Sequence, residues 1–319
     1  MYIPTIDEII DIQKLLNIPA TGLMDPFTES AIKNFQLKND LDPQGKIDNE
    51  TKEKLIPNSS EGLIDTDNSV SPIIKKRILK KLDPNKKDNY FDGPTKKESI
   101  FLHHTAGWEN PYNVIAGWEN DILGPIGTQF VIGGRNPQTL SDQWNGEIVQ
   151  AFPDYGCYGW HIGIGNTSVH RNSVGIELCN FGWVLPEGKQ FRSYPTLNAK
   201  GVIIRKGAIL KNSEIVKLKH SWRGYEYFHR YSENQLQSLS WLIKKIGEEN
   251  GIDIREGLQK RLKTFKNPFD AFDYDENIKQ GKSHGLFCHT NVSPKNRFGG
   301  YEKWDLFPQD EVIEMILSL

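Results

Sequence analysis

A mixed α/β domain, its central sheet covered by helices, preceded by a small three-helix unit, is the fold class predicted by this 319-residue sequence. Two observations predict it. The first 57 residues carry apolar positions at helical spacing, with connections marked by glycine and aspartate. Beyond them, short apolar runs of strand length precede one long, well-capped amphipathic helix, the pattern of a sheet with helices packed on it.

Taken in order, Ile9, Ile10, Ile12, Leu15 and Leu16 predict a first helix. Asp25-Pro26 is a start signal for a second, running from Thr28 to Leu37 through Ala31, Ile32 and Phe35. A third spans Asp48 or Asn49 to Leu55, with Gly22 and Gly45 punctuating the connections. The domain is set at 1–57, a Ser/Asn/Asp/Pro-rich linker at 58–72, and a second domain at 73–319. Ile73 to Leu82 is read as an amphipathic helix, and Asp92-Gly93-Pro94 as a turn. Strands are expected at Glu98–Leu102, leading into His103, and at Gly127–Ile132, Glu147–Phe152 and Val174–Cys179. Ser232 followed by Gln235 forms a capping box opening a helix that aligns Leu236, Leu239, Leu242, Ile243 and Ile246. The stretch from Gly182 to Arg230 has weak periodicity and yields no topology.

Composition excludes several classes. Hydrophobic residues make up 37% of the chain, enough for a packed core. A net charge of -2, with the lysines of 75–97 interrupted by acids, gives no phosphate-binding footprint, so no nucleic-acid partner is expected. Three widely spaced cysteines, Cys157, Cys179 and Cys288, do not make a disulfide framework. No run approaches the length of a transmembrane helix, and MYIPTIDEII lacks the basic and apolar regions of a secretory signal.

The chemistry is concentrated in scattered polar residues. His103 and His104 end an apolar run; His289, Lys303 and Asp305 lie far downstream. Two imidazoles and a carboxylate suffice to hold zinc with one position open. Alternation along a strand sends His103 and His104 to opposite faces, so one metal does not take both. Glu177, an acid inside an apolar strand, requires a partner or a function.

The N-terminal unit resembles the peptidoglycan-binding domain found beside many cell-wall hydrolases, over roughly residues 8–56. The matching positions are Ile12-Gln13 with Leu16, Gly22 with Asp25, Thr28 with Ala31-Ile32 and Phe35-Gln36, and Gly45 with Ile47-Asp48 and Thr51.

The second domain resembles the zinc-dependent N-acetylmuramoyl-L-alanine amidases, the family that includes T7-type lysozyme and the peptidoglycan recognition proteins. Four motifs occur in the family's order: Phe101-Leu102-His103-His104-Thr105-Ala106; Trp160-His161-Ile162-Gly163; Gly175-Ile176-Glu177-Leu178; and His289-Thr290-Asn291-Val292-Ser293-Pro294 followed by Lys303-Trp304-Asp305-Leu306-Phe307-Pro308. The resemblance implies His103, His289 and Asp305 as zinc ligands, and Glu177 and Lys303 as catalytic residues. On that reading His161 either lines the substrate cleft or makes a structural hydrogen bond, and Trp108, Trp118, Trp144 and Trp160 are candidates to face sugar or peptide, Trp160 and Trp108 first. The implied reaction is hydrolysis of the amide between N-acetylmuramic acid and L-Ala of the stem peptide in bacterial peptidoglycan.

Two departures stand out. Asp305 follows His289 by 16 residues, longer than the family's usual spacing, with Asn296–Gly300 inserted and Asp310 as rival ligand. Between Glu177 and His289 lie 112 positions, placing a large insertion within about 181–283. The resemblance and the absent signal together suggest an endolysin made in the cytoplasm, reaching the wall after holin-dependent release or delivery by a phage or contractile-injection particle. A non-catalytic peptidoglycan-binding or structural component of such a particle, and a stem-peptide endopeptidase, are the alternatives.

Overall fold

The computed structural model describes residues 6–16, 23–39, 41–55, 72–79, 90–93, 95–121, 124–163, 167–197, 203–295 and 303–319. Gly22, Pro94, Asn296–Gly300 and the predicted linker up to residue 71 lie outside them. The chain divides into two compact units, Met1–Ser69 and Val70–Leu319.

In the first unit, helices α1 (Ile6–Leu15), α2 (Pro26–Lys38) and α3 (Asn49–Leu55) enclose Ile12, Ile32, Ile47 and Leu55. One device is used twice. The Gln13 amide donates to Thr28 Oγ1 at 2.8 Å while the Asp25 carboxylate caps the Thr28 N–H at 2.8 Å. The Gln36 amide donates to Thr51 Oγ1 at 2.9 Å while Asp48 caps the Thr51 N–H at 2.7 Å. Both glutamines are fully buried, so their hydrogen bonds are obligatory and fix how the helices meet.

The second unit is built on a sheet of six strands, in the order β1 (Ile74–Lys76), β4 (Ile148–Gln150), β3 (Phe130–Ile132), β5 (Ser173–Leu178), β2 (Ser99–His104), β13 (Gly285–Cys288). Every neighbouring pair is parallel except β3 with β4. Residues 73–82 were expected to be helical, and the structure overturns this over the part it describes. Ile74–Lys76 pairs with Ile148–Gln150 at the sheet edge, and Arg77 and Leu79 continue the bonding to Gln150 and Ala151. Its apolar spacing suits a helix, but the exposed carbonyls of β4 offer the backbone a ladder that local propensity does not foresee.

Helices α4 (Pro111–Glu119) and α5 (Thr167–Arg171) precede β4 and β5 in the chain. After β5 come β6 (Val184–Glu187), β7 (Gln190–Ser193), β8 (Thr196–Leu197), β9 (Ile203–Arg205) and β10 (Ile209–Leu210). Strands β6, β7 and β10 form a small antiparallel sheet, and β8 pairs with β9. A hairpin of β11 (Ile215–Trp222) and β12 (Tyr225–His229) follows. Helix α6 (Glu233–Asn250) opens on the expected capping box: Ser232 Oγ accepts the Gln235 N–H, and the Gln235 side chain accepts the Ser232 N–H. Leu236, Leu239, Leu242, Ile243 and Ile246 are buried against Ile100, Leu102, Ile176 and Leu178 of the sheet. Each such side chain contributes about 1.5–3 kcal/mol when fully buried. Helices α7 (Leu258–Thr264) and α8 (Glu276–Lys279) lead to β13, and α9 (Asp310–Leu317) closes the chain. No described helix is long and apolar enough to cross a membrane.

Alternation along β2 sorts its side chains. Ile100 and Leu102 enter the α6 core, whereas Phe101 packs with Ile162, Val169, Phe287 and Val292 on the other face. His104 follows the first set: its Nδ1 meets the Tyr231 hydroxyl at 2.7 Å, and its ring abuts Phe307. His103 follows the second.

Candidate metal centre

Parallel strands ending together make a crevice at their carboxyl edge, the usual ligand site of such sheets. Cys288 at the end of β13 lies beside Leu102 of β2, so His289 emerges level with His103. His103 is in turn the register partner of Glu177 on β5. The segment 303–305 is tied alongside by the Thr290 N–H donating to the Asp305 carbonyl at 2.9 Å.

Three ligand-type atoms converge there. His103 Nδ1 is 3.0 Å from His289 Nδ1 and 3.4 Å from Asp305 Oδ2, and His289 Nδ1 is 2.9 Å from the same oxygen. All three residues are buried, and they make the one cluster able to hold a metal among the described residues. Asp310, the rival ligand, instead pairs with Lys219 at the surface.

Hydrogen bonding fixes which nitrogens face inward. Ser173 Oγ has one proton, and the Val169 carbonyl, 2.6 Å away, can only accept it. Ser173 Oγ therefore accepts from His161 Nε2, at 3.1 Å. Burial, followed by the charges of His103 and His170, pushes His161 well below the usual histidine pKa, so its ring is neutral and Nδ1 is an acceptor. His103 Nε2, 3.1 Å from that atom, must carry the proton, leaving His103 Nδ1 as a lone pair. Likewise His289 donates its Nε2–H to the Ile162 carbonyl at 2.9 Å, which turns Nδ1 toward His103 and Asp305.

Charge states agree. Burial pushes His103 down to about 4. Burial opposes charge on Asp305, but the neighbouring His289 holds it well below the usual carboxylate range. Two imidazole nitrogens and a carboxylate oxygen thus converge, an arrangement able to hold a cation. Tetrahedral zinc ligands, each about 2.0–2.1 Å from the ion, stand roughly 3.3 Å apart, so the observed spacings fit.

Glu177 faces this cluster. Its Oε2 is buried with no hydrogen-bond partner among the described residues. Burial, then the charge of Asp305, pushes its carboxyl well above the ordinary range, while Lys303 acts in the opposite sense. Lys303 is half-buried, and a methyl group built on Gly163 would stand 3.8 Å from His289 Nε2 and 4.0 Å from Lys303 Cε, so both side chains border Gly163.

The residues expected to face substrate divide. Trp108 is 37% exposed and rests edge-on against Phe181. Trp160 packs edge-on against Phe91 and His170. His161 commits both ring nitrogens to protein partners behind His103, a different placement from a cleft-lining one. Gly175 makes room for it, since a Cβ there would come within 3.0 Å of His161 Nδ1 and 2.7 Å of Thr128 Cγ2. Sequence reasoning missed Ser173 and His170, which accepts the His161 N–H at 3.1 Å; a serine opening an apolar strand gives no signal of its own.

No curated protein matches the chain. Among solved structures, it is similar to PlyL, with 13% identity over 57% of this chain and 77% of that one, at a TM-score of 0.32. A mutant endolysin from Bacillus subtilis gives 19%, 57%, 80% and 0.31. The complex of the N-acetylmuramyl-L-alanine amidase AmiD from E. coli with anhydro-N-acetylmuramic acid-L-Ala-D-gamma-Glu-L-Lys gives 20%, 51%, 47% and 0.30. At TM-scores this low none of them bears on the site. Residues 7–55, which span nearly all of α1 to α3, match the family model of a putative peptidoglycan binding domain.

Proposed function

We propose that the chain is a zinc-dependent peptidoglycan hydrolase, an N-acetylmuramoyl-L-alanine amidase cleaving the bond between the lactyl group of N-acetylmuramic acid and L-Ala. The observation that carries this reading is the convergence of His103 Nδ1, His289 Nδ1 and Asp305 Oδ2, with Glu177, whose Oε2 has no hydrogen-bond partner among the described residues, on the same face.

An amide resists neutral water, so the site must strengthen the nucleophile and accept charge on the carbonyl oxygen. His103, His289 and Asp305 would hold the zinc, which when bound would lower the pKa of water and polarise the carbonyl. Glu177 takes the proton that the attacking water loses and returns it to the departing amide nitrogen. A carboxyl with a raised pKa suits both transfers. The Lys303 ammonium balances the developing oxyanion. His161 and Ser173 hold His103 in its ligating tautomer. Trp108, partly exposed, is the candidate aromatic face for sugar or peptide. The N-terminal unit, whose family match concerns peptidoglycan, keeps the enzyme near its substrate and leaves the chemical step unchanged.

Digestion of purified peptidoglycan followed by mass spectrometry tests the assignment. The expected products are free stem peptides beginning at L-Ala, absent with Glu177→Gln. Intact stems with cut cross-bridges would make the chain an endopeptidase, and unaltered peptidoglycan would make it a binding protein.

A further inference from the structure

We propose that Arg223, supplied by the inserted stretch, is a positioning residue for the metal centre, clamping the two segments that carry its downstream ligands. The proposal rests on the zinc reading above.

Arg223 sits at the tip of the β11–β12 hairpin, and its side chain is fully buried. Its guanidinium donates to three main-chain carbonyls: Lys303 at 2.8 Å, Thr290 at 3.1 Å and Ser293 at 2.8 Å. Thr290 and Ser293 belong to the turn that presents His289; Lys303 precedes Asp305 by two positions. One planar, forked cation therefore joins the two segments, and a point-charge ammonium lacks the geometry to do so. The Arg223 carbonyl returns the contact by accepting the Trp304 indole N–H at 3.3 Å. Asp273 lies 3.7 Å from the guanidinium and also pairs with Lys295 at 2.7 Å, balancing the buried charge.

The backbone supplies a second, independent sign. Between the paired residues Trp222 and Tyr225, the turn consists of Arg223 at φ +46° and Gly224 at φ +90°. A two-residue turn with both angles positive favours Asn or Gly at its first position and penalises a side chain like arginine. An arginine held in that conformation, with its guanidinium buried among carbonyls of the ligand-bearing segments, indicates that the side chain is what the position requires. The insertion is then part of the centre's framework, because the sheet places His103 and the start of the His289 turn but not the segment of Asp305.

The substitution Arg223→Asn removes the clamp while improving the turn, and Arg223→Lys keeps the charge without the fork. Zinc affinity is measured by chelator competition on full-length protein, with circular dichroism confirming the fold at the assay temperature. We expect one zinc in the wild type and an affinity about 10-fold or more weaker in both variants, the scale seen when support of a metal ligand is lost. Wild-type affinity in folded Arg223→Asn overturns the proposal while leaving the zinc reading intact. Should that variant not fold, Arg223→Lys binding zinc as tightly as the wild type overturns it equally. A wild type that binds no zinc overturns the zinc reading, and this proposal with it.

Discussion

His103 and Glu177 are register partners on neighbouring parallel strands, so their side chains leave the sheet on the same face, while their successors His104 and Leu178 leave on the other. This one relationship puts a nitrogen of the candidate metal cluster and a carboxyl whose Oε2 has no hydrogen-bond partner among the described residues on one surface, and the proposal gives them separate roles. Glu177→Gln keeps the size and removes the proton acceptor. It should retain one zinc per chain and lose about 10²–10⁴-fold in kcat, the usual contribution of a general base. Zinc analysis alongside turnover checks both halves; loss of zinc from this variant would make Glu177 a ligand instead.

The proton chain from His103 through His161 to Ser173 and the Val169 carbonyl assigns His161 to the support of a ligand. His161→Ala should weaken zinc binding by about 10–100-fold. At saturating zinc its KM should stay near the wild-type value. A raised KM with unchanged zinc affinity would return His161 to the substrate cleft.

Lys303 is assigned to the oxyanion and not to the metal. Lys303→Met should leave zinc affinity unaltered and reduce kcat by about 10²–10³-fold, comparable to removal of one oxyanion donor. Steady-state kinetics with zinc titration distinguish this from a fault in the neighbouring Asp305.

Lys97 lies ahead of β2 and is 3% exposed; it donates to the Arg171 carbonyl at 2.7 Å. Burial pushes its pKa down to about 8, from 10.5. The folded state thus holds this proton less tightly than the unfolded state. Below pH 8 the buried charge costs stability, and between about 8 and 10.5 the unfolded chain binds more protons, so stability rises with pH. The full difference is on the order of 3 kcal/mol. Denaturant unfolding of wild type and Lys97→Met across that range should show the rise in the wild type alone; parallel curves would contradict it.

Much of this arrangement was legible in the sequence because it rests on local rules. Ser232 with Gln235, Asp25 with Pro26, and the apolar spacing of α6 each specify their element through neighbouring residues. The apolar run ending in His103 specified both a buried strand and, by alternation, the separation of His103 from His104. What was hidden depends on distant pairing. The residues of β1 become a strand only because β4 lies beside them. The hairpins of the insertion are short and half-exposed, with no unbroken apolar alternation to betray them. Arg223 looks ordinary until the fold brings the Lys303 carbonyl, 80 positions away, to its guanidinium, and Ser173 until His161 is folded back onto its hydroxyl.

The most direct test of the central claim is anomalous diffraction at the zinc edge from crystals of the full-length chain grown with zinc. The account predicts one strong peak bonded to His103 Nδ1, His289 Nδ1 and an oxygen of Asp305. A peak bound to other residues, or no peak at this cluster with zinc in excess, would contradict it.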